Sequence, residues 1–250
     1  MELRQGRREE WAFRKELPGT RRQELSIVIV RRARPDVKTV VTTLRKLGSA
    51  SVREGYARYG IVAPKSFGIA MNRIHRLAKE IGRDHALAAE LWKTGWYEAR
   101  LLVAFIGEPA QLTPAQMERW ARDFDNWAVC DTLCFHLFDR SSHALATIKK
   151  WSRREEEFVR RAGLALLACV ALHDKESSDA KFTPLLPLVE RAADDERNFV
   201  KKAASWALRA VARRSPALES KVAALAKRLA ASRDAAPRWI GKDVLRQIGR

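Results

Sequence analysis

Glycine and proline are scarce in this chain, 12 and 9 among 250 residues. That excludes collagen-like and low-complexity architectures and leaves few places for tight turns. Strictly alternating apolar and polar runs, the mark of half-buried strands, are nearly absent. Ser26-Ile27-Val28-Ile29-Val30 is the one short β-like exception. Three cysteines, Cys130, Cys134 and Cys169, give no disulfide framework and point to a reducing cytoplasm. No apolar run approaches the roughly 20 residues that cross a bilayer. The first residues carry no apolar block of the kind a secretory signal needs. No glycine-rich phosphate loop and no G-x-S-x-G nucleophile elbow occurs. Acidic residues are in deficit: 30 Asp and Glu face 48 Lys and Arg, for a formal net charge of +18. Such an excess marks a polyanion-binding protein. The basic residues are interleaved through many amphipathic segments rather than gathered in one tail, which argues against an anionic membrane as partner.

What is present is helical periodicity, and the fold class expected is all-α. Apolar residues at helical spacing predict helices over about 36–47, 50–58, 64–81, 84–93, 95–106, 113–124, 126–138, 143–152, 155–173, 182–193, 196–213, 216–231 and 237–248. Pro64, Thr113-Pro114 and Ser215-Pro216 read as helix starts, and Gly48, Gly60, Gly82 and Gly107 as stops. Residues 1–35 differ: they are rich in Arg and Glu, and Pro18-Gly19 breaks any helix. They are expected to form a loosely ordered basic arm ahead of one domain over 36–250.

Aromatic residues open a series of these helices: Tyr97, Trp127, Phe158, Phe199 and Trp239, at intervals of 30, 31, 41 and 40 residues. Helical hairpins of about 40 residues are the signature of HEAT-like arrays. Each hairpin buries one face on its neighbours, so stacking gives an α-solenoid with a concave surface. The recurring helix of each pair is expected to line that surface and to make it basic.

One acid stands out. The segment from Trp127 to Phe138 is almost wholly apolar, yet Asp131 sits within it, four residues after Trp127 and on the same helical face. A buried acid bonded to a neighbouring helix is one reading; a functional carboxylate beside an indole is the other. Cys130, Cys134 and His136 lie close by, but Cys134 and His136 are two apart on a helix and point differently. No second Cys/His pair completes a metal site, so no metal is expected. His75, His85, His143 and His173 show no ligand spacing. Trp92, Trp96, Trp120 and Trp151 read as packing residues.

The run Leu77-Ala78-Lys79-Glu80-Ile81-Gly82, then Leu87-Ala88, Glu90-Leu91-Trp92 and Tyr97-Glu98-Ala99-Arg100, is followed by the Trp127…Asp131 helix. Phe158-Val159-Arg160-Arg161-Ala162 and Phe199-Val200-Lys201-Lys202-Ala203 through Arg209 come next. In that order and spacing, over about residues 50–230, the chain resembles the AlkD-like DNA alkylation repair proteins. The resemblance implies a HEAT-like fold and a DNA glycosylase that removes N3- and N7-alkylated purines from duplex DNA without a cofactor. It maps the catalytic acid onto Asp131, the neighbouring indole onto Trp127, a second indole onto Trp206 and a supporting arginine onto Arg161. The sequence departs from the family at Ala128, where a second aspartate often stands. An aromatic on the N-terminal repeat is also common there, and neither Tyr56 nor Tyr59 falls clearly in register.

The chemistry fits these residue types. A purine alkylated at N3 or N7 is cationic and already a good leaving group. As the glycosidic bond stretches, positive charge builds on the deoxyribose, and a carboxylate close to the sugar stabilises it. Indole faces attract cationic partners, and an arginine holds a phosphate or orients the acid. Glycosylases in general flip the base into a pocket; this family is expected to act without one. Lys65, Arg73, Arg100, Arg160, Lys201, Lys202 and Arg209 are the candidate phosphate contacts. The expectation is thus a monomeric, cytoplasmic, nucleoid-associated glycosylase of alkylated DNA. The alternative is a non-catalytic HEAT-repeat scaffold that binds DNA or protein.

Overall fold

A computed structural model describes residues 34–248. All regular structure among them is helical. Thirteen α-helices follow in order: α1 (Val37–Leu47), α2 (Ala50–Gly55), α3 (Met71–Ile81), α4 (His85–Lys93), α5 (Tyr97–Ile106), α6 (Pro114–Arg122), α7 (Trp127–His136), α8 (Ala144–Trp151), α9 (Glu157–His173), α10 (Leu186–Ala192), α11 (Asn198–Ala212), α12 (Pro216–Ala230) and α13 (Ala235–Ile248). None is long and apolar enough to cross a membrane. From Pro35 onward the described residues form one compact unit. The arm expected over 1–35 lies outside the described residues but for its last two, and so does the β-like run at Ser26–Val30.

Local chemistry sets the helix starts. The side chains of Asp36, Asp84, Thr113, Asn126 and Ser215 each accept a first-turn backbone N–H, so they cap α1, α4, α6, α7 and α12. Pro114 and Pro216 occupy first helical positions, where a missing N–H costs nothing. Gly48, Gly82 and Gly107 end α1, α3 and α5 as expected.

The helix expected over 64–81 is shorter than the periodicity suggests: α3 begins only at Met71, and Pro64 starts no helix. Backbone N–H groups of the missing turns are held by side chains instead. The carboxylate of Glu98 accepts from Phe67 N (3.0 Å) and Gly68 N (2.7 Å), and the Tyr56 hydroxyl accepts from Ile69 N (3.0 Å). Gly68 sits at φ +78°, and a Cβ there would stand 2.1 Å from the Ser49 carbonyl oxygen. The end of the 50–58 prediction also differs, since α2 passes into a 3₁₀ turn at Tyr56–Tyr59.

The tertiary pattern is two-layered. Helices α3, α5, α7, α9, α11 and α13 pack side by side in chain order, and α4, α8, α10 and α12 back onto them. The recurring aromatics follow this layer: Tyr97 and Trp127 open α5 and α7, and Phe158 and Phe199 are second in α9 and α11. Trp239 instead falls in the second turn of α13. Trp92, Trp120 and Trp151 are buried, while Trp96 is half-buried and stacks on Phe67 with ring centres 3.9 Å apart. The layers approach closely at Gly163 of α9, where a Cβ would lie 2.4 Å from Ser152 N at the end of α8, and at Gly241 of α13, where it would lie 2.3 Å from Ala230 N of α12.

Candidate functional site

Asn126 fixes where α7 begins, and so fixes Trp127 as its first residue and Asp131 one turn later. Across from that turn, α9 carries Arg161. Its guanidinium grips the acid with two bonds, Nε to Asp131 Oδ1 at 2.9 Å and Nη2 to Oδ2 at 2.5 Å. The remaining nitrogen, Nη1, donates to the Phe199 carbonyl on α11 at 2.6 Å. One arginine thereby joins three successive helices of the layer. The Trp127 and Phe199 rings flank it, each with its centre 5.9 Å from Cζ, within the range of a cation–π contact.

The pair is largely but not wholly withdrawn from water: the Asp131 side chain is 18% exposed and that of Arg161 8%. Burial pushes the Asp131 carboxyl above its ordinary range, and the Arg161 charge and hydrogen bonds oppose that shift. Burial works against the charge on Arg161 too, but Asp131 outweighs it and holds the guanidinium above its usual value. A two-bond arginine–carboxylate pair orients the acid and leaves further lone pairs on each oxygen.

The N-terminal side of the site was not in register from the sequence, and the structure supplies it. The Trp127 indole N–H donates to the Tyr59 carbonyl at 2.8 Å, and Tyr59 is 70% exposed. A Cβ on the next residue, Gly60, would stand 3.4 Å from Phe199 Cζ. The turn Tyr56–Tyr59 thus reaches both α7 and α11. It is held from behind by Glu98, fully buried on α5, which accepts the Tyr56 O–H at 3.1 Å as well as the two loop N–H groups. Burial and the Glu98 charge raise the Tyr56 phenol. Glu98 carried the same sequence signal as Asp131, an acid inside an apolar helix. The role of Phe199 had none, because it acts through its backbone carbonyl.

Trp206, the second indole, lies seven residues after Phe199 and therefore on the same face of α11, half-buried against the core. Among the described residues no hydrogen bond or ring contact joins it to the Asp131 cluster. Ala128 packs in the core. Cys130 and Cys134 also face inward, with their thiols toward the carbonyls of Phe158 (3.6 Å) and Ala162 (3.5 Å) on α9.

The seven candidate phosphate contacts divide by what already holds them. Arg160 pairs with Asp195 (2.8 Å), Arg209 with Asp243 (2.6 Å), and Arg100 with Asp123 (3.4 Å) while covering Trp92. Arg209 thereby ties α11 to α13, and Arg160 and Arg100 tie α9 and α5 to the turns after α10 and α6. Lys65 donates to the Thr94 carbonyl (2.6 Å) and lies over Trp96, Lys201 lies over Trp239, and Arg73 reaches the Leu47 carbonyl at 3.4 Å. None of those three has a carboxylate partner among the described residues, and Lys202 is exposed.

Comparison with known proteins agrees with this layout. No curated protein matches the chain significantly. A solved structure superposes with a TM-score of 0.71 at 25% identity, covering 86% of this chain and 97% of the other. That structure is described as a new family of proteins related to the HEAT-like repeat DNA glycosylases, with affinity for branched DNA structures. The fold is therefore that of the HEAT-like repeat glycosylases. The sequence model of the DNA alkylation repair enzymes matches residues 40–246, most of the chain and all of the cluster around Asp131, and the chain belongs to the DNA alkylation repair enzyme family.

Proposed function

We propose that this protein is a DNA glycosylase that excises cationic N3- and N7-alkylated purines from duplex DNA. The observation that carries the reading is the oriented, nearly buried Asp131 carboxylate, gripped by Arg161 beside the Trp127 ring. The reaction needs three things: a negative charge near C1′ as the glycosidic bond stretches, an attacking water, and a hold on the DNA backbone. Asp131 supplies the first and orients the second. The base leaves as a neutral purine because its alkyl group already made it cationic. Trp127 packs against the sugar and stabilises its developing charge. Trp206 flanks the nucleotide from α11. Lys65, Arg73, Lys201 and Lys202 meet phosphates on the concave side of the array, whereas Arg100, Arg160 and Arg209 act first on the fold. No metal or organic cofactor takes part. The protein works as a monomer on DNA in the nucleoid.

The test is release of 7-methylguanine or 3-methyladenine from methylated DNA, read by chromatography. Wild type should release them, and Asp131→Asn should bind the same DNA without release. Wild-type protein that binds methylated duplex and frees no base overturns the reading.

A second reading has one specific support. Both Asp131 oxygens already accept from Arg161, which also suits an acid whose task is to fix helices in a non-catalytic DNA-structure binder. In that case wild type and Asp131→Asn both leave the base in place, and a branched junction outcompetes a plain duplex of equal length.

A further inference from the structure

The α7 face that carries Trp127 and Asp131 continues one turn on to Phe135. From there a row of rings runs across four consecutive helices of the layer. Ring centres are 4.4 Å apart for His173 and Phe135, 4.9 Å for Phe135 and His136, 4.5 Å for His136 and Phe105, and 4.6 Å for Phe105 and His75. The row is not core: Phe105, Phe135 and His136 are half-buried, and His75 and His173 are exposed. The cluster around Asp131 uses none of them.

At the α3 end of this row a cavity of about 400 Å³ opens, walled by His75, Phe105 and His136 and edged by Lys79 and Arg83. Gly82, at its margin, has open space where a side chain would stand. Arg83 donates one guanidinium nitrogen to the Gly107 carbonyl. Among the described residues, no carboxylate lies within ion-pair distance of Lys79 or Arg83. That sets them apart from Arg100, Arg160 and Arg209 on the same layer. Three rings around an apolar space suit a flat ring; two cations without acidic partners suit an anion. The volume is that of a small-molecule pocket. A nucleotide carries both groups, and aromatic residues alternating with cations are how proteins hold unpaired bases. His136 is five residues beyond Asp131, about 7.5 Å along the helix, which is roughly the rise of two stacked nucleotides.

We propose that this cavity is a subsite for one unpaired nucleotide, its base against His75, Phe105 and His136 and its phosphate at Lys79 and Arg83. It lies beside, and apart from, the residue handled by Asp131. The assignment rests on the DNA-binding part of the proposed function but not on excision. Two measurements on the full chain test it. In the first, dAMP, and separately inorganic phosphate, are titrated while the imidazole resonances of His75 and His136 are followed by NMR. Millimolar dAMP should shift both, and phosphate should shift them less. In the second, affinity is compared for a fully paired duplex and for the same duplex with one bulged nucleotide. His75→Ala and Lys79→Ala, both on the exposed side of α3, should lower the preference for the bulge about tenfold, the scale of one stacked base. Their affinity for paired duplex should change far less. An unchanged preference in both variants overturns the subsite, as does a titration in which dAMP moves neither histidine. Excision of methylated purines, assayed in parallel, separates the two readings. A wild type with normal excision but no preference for the bulge removes the subsite alone. Absent excision with the preference intact removes the glycosylase reading alone. If wild type binds no DNA, the dAMP titration decides.

Discussion

Trp127 donates its indole N–H to the carbonyl of Tyr59, a residue 68 positions earlier in the chain. The bond joins the first turn of α7 to the turn after α2, so the indole beside Asp131 has its plane set by an N-terminal element. Glu98 stands behind that turn through Tyr56 and the Phe67 and Gly68 amides. Replacing Glu98 by Gln puts an amide N–H₂ against donors that need an acceptor. The expected cost is about 1–3 kcal/mol, read as a lower midpoint in urea. Hydrogen exchange should show protection lost at Phe67 and Gly68 while the α9 amides keep theirs. Equal loss in both places would mean that Glu98 supports the whole fold rather than this turn.

Arg161 and Asp131 should behave unequally when cut apart. Arg161→Ala leaves a nearly buried carboxylate without its partner and also frees the Phe199 carbonyl. A loss of about 3–5 kcal/mol is expected, whereas Asp131→Asn keeps an acceptor for the guanidinium and costs less. Urea unfolding of both variants checks the order. The double variant Asp131→Asn/Arg161→Ala should regain part of what Arg161→Ala loses.

The acid limb of excision follows from the direction of the Asp131 shift. The proposed reaction needs the carboxylate, and burial raises its pKa above the ordinary 3.8. Activity should therefore be full well above that raised value and fall as pH drops through it, at a higher pH than a solvent-exposed aspartate would give. Single-turnover excision across the acid range measures this. A limb at or below the free-aspartate value would show that Arg161 wins over burial, or that another group titrates.

Salt dependence separates the two kinds of basic residue. Lys202 is exposed, so Lys202→Ala should weaken DNA binding at every sequence and lower the slope of log affinity against log salt by about 1. Arg160→Ala instead removes one of the two arginines on Asp195, whose carboxyl Arg197 and Arg160 together hold low against its burial. It should lower the melting temperature with little change in the slope.

Gly163→Ala tests the close approach of α9 to the end of α8. The added carbon meets backbone, Ser152 N at 2.4 Å and Trp151 C at 2.8 Å, not a side chain that can swing aside. Overpacking of this kind costs about 1–3 kcal/mol or more, and a thermal melt reads it.

Much of this was legible in the sequence, and what was not has physical reasons. Caps and breakers were local, so Thr113-Pro114, Ser215-Pro216 and the helix-ending glycines could be read directly. The segment 64–70 could not, because its helical periodicity is overridden by a carboxylate some thirty residues away. Trp127 and Asp131 announced themselves by spacing on one helix, and their link to Arg161 came from family likeness. The carbonyls of Tyr59 and Phe199 left no trace, since any residue has a carbonyl. The arginines Arg100, Arg160 and Arg209 looked free for phosphate, and only their three-dimensional neighbours reveal the aspartates they serve.

Arg161 bonds forward to α11 and backward to α7 from its place on α9. Three adjacent struts are pinned at one point, so the distance between the outer two cannot change without stretching a bond that also aims the acid. The array in this region behaves as a gauge: any ligand that splays or pinches α7 against α11 tilts the Asp131 carboxylate in the same movement.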